Sequence, residues 1–127
     1  MTTSRLRLAL RAHLTAAMRE RDRVAVSAVR TTLAALDNAE AVPLDAVAGG
    51  PGPVTGSEHV AAAAIGVGAA EVDRRELSED DERALVAAEV ASLLEAARHR
   101  RAAGDPTEAE DAEAAARLLE AVVASVA

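Results

Sequence analysis

At 127 residues the chain has the length of one ordinary domain and can bury a core without disulfide or metal staples. Half of it is apolar, yet it has no Cys, Phe, Tyr or Trp, which excludes disulfides, thiolate metal sites, a Cys nucleophile and the aromatic platforms on which single-stranded bases stack. A net charge of -7 disfavours general nucleic-acid affinity and no DNA partner is expected, but residues 1–30 carry seven Arg against Glu20 and Asp22, while the remainder carries seven Arg against 19 acids.

In chain order, the first element is a helix from Thr3 to Glu20. Leu6, Leu10, Leu14 and Met18 fall four apart, with Ala9 and Ala17 beside them, and Arg7, Arg11 and Arg19 lie off that stripe. Asp22 is placed to cap a second helix, in which Val26, Val29, Leu33 and Leu36 recur at three-to-four spacing until Asn38 and Pro43. Residues 1–40 thus read as one helical pair.

Residues 41–71 change character. Pro43, the run Gly49-Gly50-Pro51-Gly52-Pro53 and Gly56 precede an Ala/Gly-rich stretch from Ala61 to Ala70. This reads as a long mobile connector holding at most one short helix near Glu58 to Ile65.

A helix start returns at Leu77-Ser78-Glu79-Asp80-Asp81, where Ser78 can cap and acids meet the positive end of the helix dipole. Its core stripe is Val86, Val90, Leu93 and Ala97, its last turn holds His99, Arg100 and Arg101, and Gly104 ends it. Asp105-Pro106-Thr107-Glu108 opens another helix at once, with Ala112, Ala116, Leu119, Val123 and Val126 in line and Leu118 and Val122 widening the stripe. Residues 77–127 are therefore an antiparallel hairpin. The fold class expected is all-α: a single domain of four main helices in two antiparallel pairs, with the Gly/Pro/Ala-rich connector between helices 2 and 3.

Catalytic signatures fail on residue type. There is no Lys, so Gly50 to Gly56 is not a phosphate-binding P-loop, and Gly66-Val67-Gly68 lacks the third Gly and preceding strand of a dinucleotide fingerprint. His13, His59 and His99 have no second ligand at metal spacing. The acids Glu79 to Glu82 fan around a helix, which suits capping and solvation, and no Ser is framed by a base. No catalytic residue, cofactor or metal is expected. Met1 leads into an Arg-punctuated amphipathic stretch, and the weakly polar run from Val60 to Ala70 is too short for a bilayer, so a cytoplasmic location and no membrane partner are expected.

The one cluster suited to a ligand is basic: Arg19, Arg21, Arg23 and Arg30 straddle the turn between the first two helices, and Arg19, Arg23 and Arg30 could form a ridge for phosphate contacts. The competing reading is a solvated face whose charges pair with the acidic C-terminal half.

Ala17-Met18-Arg19 through Asp22, Val29-Arg30, Leu33 to Leu36 and Asn38-Ala39-Glu40 resemble the opening of the GatB/YqeY family. Arg75-Glu76-Leu77-Ser78-Glu79-Asp80-Asp81 resembles its second helical start, and Gly104 through Glu120 the hairpin that follows. The resemblance implies an all-helical YqeY-like accessory binding domain, with tRNA or a tRNA-processing protein as partner. It also carries the family label of carbon-nitrogen ligase activity with glutamine as amido-N-donor, although no residue here could perform that reaction unaided. Family members usually continue into a small tail domain, whereas this sequence ends at Ala127. A basic pair of their third helix stands here as Leu93-Leu94, and residues 41–70 replace a much shorter link. Two other readings remain open: a protein-interaction or homo-oligomerisation module burying a second stripe of Leu93, Leu94, Leu118 and Val122, and a subunit assisting glutamine-dependent amide transfer.

Overall fold

The computed structural model describes residues 3–41 and 76–127, and the expected connector therefore lies almost wholly outside the described residues. Four helices occupy them and no strand does: α1 (Arg5–Glu20), α2 (Arg23–Ala41), α3 (Glu79–Ala102) and α4 (Pro106–Ser125). They form two helical pairs, α1 with α2 across the Arg21–Asp22 turn and α3 with α4 as a closely packed hairpin, as the apolar spacing predicts. Packing divides the chain into Met1–Leu36 with Ser78–Ala127, and Asp37–Leu77; the core described below belongs to the first.

Each helix begins on a side-chain cap that satisfies an orphan backbone donor. Ser4 Oγ accepts from the Arg7 N–H at 3.1 Å, one residue beyond the expected start at Thr3, and Asp22 Oδ1 accepts from the Ala25 N–H at 3.1 Å. Ser78 and Asp81 form a reciprocal capping box at α3, and Asp105 Oδ1 accepts from the Glu108 N–H at 3.2 Å ahead of Pro106.

The two pairs turn by the same device. At the end of α3 the Asp105 N–H donates to the Arg100 carbonyl and the Gly104 N–H to the Arg101 carbonyl, with Gly104 left-handed at φ +84°. At the end of α1 the Asp22 and Arg21 N–H groups reach the Ala17 and Met18 carbonyls in the same pattern, but the left-handed residue is Arg21, at φ 59°. A Cβ at position 104 would meet nothing within 4 Å, so Gly104→Val is opposed by backbone strain alone. We expect it to cost about 1 kcal/mol or more, and Arg21→Gly to gain about 1 kcal/mol, by urea denaturation. Equal stability of both variants would contradict the left-handed assignments.

Helix geometry explains where the buried arcs depart from the sequence stripes. A step of four residues overshoots the 3.6-residue turn by about 40°, so three such steps carry Met18 about 120° round from Leu6. Met18 is accordingly 51 % exposed and Ala17 takes its place beside Leu6 and Leu10. In α2 the buried arc is Ala25, Ala28, Val29, Thr32 and Leu36, while Val26 and Leu33 lie on its border. Thr32 enters the core because its hydroxyl donates to the Ala28 carbonyl at 2.8 Å.

The hairpin buries Val86, Val90 and Ala97 of α3 against Ala109, Ala115, Ala116, Leu119 and Val122 of α4. Its small side chains let the two backbones run close along their length, and α1 lies on α4. Near the turn, Arg101 and Glu113 form a two-point ion pair at 2.6 and 3.3 Å. That hydrogen bond, with the Glu113 charge, raises the already high Arg101 pKa. The pair is too exposed to contribute much stability.

Of the stripe Leu93, Leu94, Leu118 and Val122, Val122 is fully buried, Leu93 and Leu118 are half-buried and Leu94 is exposed. One sequence expectation fails here. Glu82, expected to be solvated, is 2 % exposed and accepts a hydrogen bond at 3.2 Å from Nε of Arg7, itself buried although placed off the stripe. Glu82 precedes Val86 by one turn, so it shares the buried face, and only a guanidinium arriving from α1 makes that tolerable.

Candidate functional site

The turn Arg21–Asp22 brings the end of α1 against the start of α2, and a cleft of about 630 Å³ opens beside it. Arg21, Arg23 and Arg30 line it with Met18, Val26, Ser27 and Thr31. Arg23 and Arg30 are thus brought together as the ridge reading requires, whereas Arg19 stands in the last turn of α1 and is not part of the lining. Arg21 takes the third position. The left-handed backbone at its Cα places it there, and Arg in the position usually held by Gly gives no spacing signal in the sequence.

The cleft is amphipathic. Arg30 Nη2 donates to the Met18 sulfur at 4.0 Å, holding the guanidinium across the exposed thioether. Asp22 faces the backbone of α2 through its capping hydrogen bond, and the N-terminal dipole of α2 adds positive potential at the same end. Among the described residues Arg19, Arg21, Arg23 and Arg30 make no ion pair with a carboxylate; the pairs found there are Arg5 with Glu79, Arg7 with Glu82, and Arg101 with Glu113. The competing reading, in which these arginines pair with the acidic half, therefore has no such pair among the described residues. The arrangement can receive phosphate or carboxylate groups while offering Met18 and Val26 as apolar contact.

Elsewhere the geometry offers little chemistry. His13 is half-exposed and His99 exposed, and His59 lies outside the described residues. No three His, Asp or Glu side chains converge to hold a metal ion among the described residues, and no described helix is long and apolar enough to cross a membrane. The chain matches no family model, no curated protein and no solved structure.

Proposed function

We propose that this chain is a non-catalytic accessory binding domain of GatB/YqeY type, acting in the cytoplasm, whose α1–α2 cleft contacts the phosphate backbone of tRNA or of an RNA-bound partner. The observation that carries the reading is the cleft of Arg21, Arg23 and Arg30, which has no carboxylate partner among the described residues. The residue resemblance from Ala17 to Glu40 supplies the class of partner. Phosphate contacts made by such a cleft position a nucleic acid without reading its sequence, and the acidic remainder of the chain keeps affinity low. The reading as a subunit assisting a glutamine-dependent carbon-nitrogen ligase rests on the resemblance alone.

The test is binding of unmodified tRNA at low salt as the salt is raised. Wild type should bind weakly, with the logarithm of affinity falling by roughly 0.7–0.9 per phosphate contact for each tenfold rise in salt. Arg21→Gln, Arg23→Gln and Arg30→Gln together should abolish binding while stability changes by less than about 1 kcal/mol, as for exposed charges. Arg19→Gln should have a small effect, since Arg19 stands outside the cleft. A wild-type protein that does not bind tRNA at low salt would remove the proposal.

A further inference from the structure

On its other side α2 borders a second depression, a groove of about 650 Å³ between α2 and the α3–α4 hairpin. Ala28 and Ala115 are buried at its floor, and Leu93 and Ala112 give it half-buried apolar walls. The hairpin wall carries Glu89, Glu108 and Asp111 against the single Arg100. The α2 residues Arg23, Ser27 and Thr31, four apart, border both the groove and the arginine cleft and so form the ridge between them. Helix α2 therefore carries a basic flank, a low ridge and an acid-walled groove side by side. None of Arg21, Arg23, Arg30, Glu89, Glu108 or Asp111 is in an ion pair among the described residues.

We propose that the groove receives the α2 ridge of a second copy of this chain, reciprocally about a two-fold axis. Charge complementarity selects this occupant. The acidic wall repels a phosphate backbone, while a two-fold contact through α2 sets the arginines of each copy against the acids of the other and satisfies both sets at once. The short Ser27 and Thr31 side chains leave the ridge low enough to enter a groove floored by alanine, the ridge-into-groove fit of packed helices. Two chains of charge -7 repel at long range, but that repulsion is screened beyond roughly 8 Å at physiological ionic strength, whereas the local pairs act at shorter range than that. This contact does not depend on RNA, although it shares Arg23 and Arg30 with the proposed RNA cleft, so the two partners would compete.

The test is sedimentation velocity of the full chain across a wide concentration range without RNA, followed by a charge exchange. Wild type should self-associate to a dimer. Arg23→Glu with Arg30→Glu, and separately Glu89→Arg with Asp111→Arg, should each weaken association by about tenfold or more, since like charges then face one another. Mixed in equal amounts, the two variants should restore a dimer, because both contacts then pair opposite charges. Helical circular dichroism of each variant checks that it folds, and should one fail, Arg30→Gln and Asp111→Asn supply milder versions of the same comparison. A monomeric wild type, a dimer indifferent to either variant, or a mixture that stays monomeric would overturn the proposal. Because these measurements contain no RNA, their outcome does not depend on the tRNA reading.

Discussion

Arg7→Met should lower stability by about 3–5 kcal/mol, more than most single substitutions in this chain. Met keeps most of the buried stem of Arg7, so the loss is electrostatic. It strands the Glu82 carboxylate, whose side chain is 3 % exposed and whose Oε1 already lacks a hydrogen-bond partner among the described residues. Adding Glu82→Leu to Arg7→Met should recover most of that loss, because the double variant asks the interior to hold no charge at all. Urea denaturation of the wild type, the singles and the double gives the coupling directly. If Arg7→Met alone is as stable as wild type, Glu82 is not held by Arg7 and the reading of this contact fails. The pair links α1 to α3 across 75 residues of sequence, so what it supplies is choice of neighbour more than stability.

Leu119→Ala should cost about 3 kcal/mol, within the range of roughly 2–5 seen for buried Leu truncations. Leu119 is fully buried on α4, on the arc of Ala115, Ala116 and Val122. Leu and Ala have nearly equal helix propensity, so the helix itself is unaffected and the loss reports burial and the cavity left behind. Alanine neighbours have no long side chains to relax into the space, which holds the cost toward the middle or upper part of the range. Leu94→Ala, at a position 37 % exposed, should cost less than about 1 kcal/mol in the same urea experiment. Equal effects at the two positions would mean that α4 does not face the core as described.

The helices and their pairing were legible in the sequence because caps and breakers are local. Ser78, Asp105-Pro106 and Gly104 each act within a few residues of themselves, and each stands where its chemistry places it. The faces were less legible. With so much Ala, side-chain size no longer marks the buried arc: Val26 and Leu33 drew the stripe of α2 toward themselves, while Ala25, Ala28 and Thr32 occupy the core. Glu82 could have been found from its four-residue spacing to Val86 and Val90, but a carboxylate on that line is acceptable only once Arg7 is beside it, and that is tertiary information. The same holds for Arg21, whose place in the cleft follows from a left-handed backbone that its residue type does not announce. Of the ridge expected from Arg19, Arg23 and Arg30, the structure keeps the last two in one cleft.

Three buried alanines of the hairpin, Ala97, Ala109 and Ala116, impose an upper limit on side-chain volume where most interiors impose a lower one. Where two backbones already run close, an added methylene has nowhere to go without prising α3 from α4, whereas Gly would weaken either helix by about 1 kcal/mol. Drift at these positions is therefore hemmed in from both directions, to Ala and to those Ser residues that can return a hydrogen bond to their own helix. The hairpin should be the segment whose residues change least among descendants of this chain, although none of these three side chains carries any chemistry of its own.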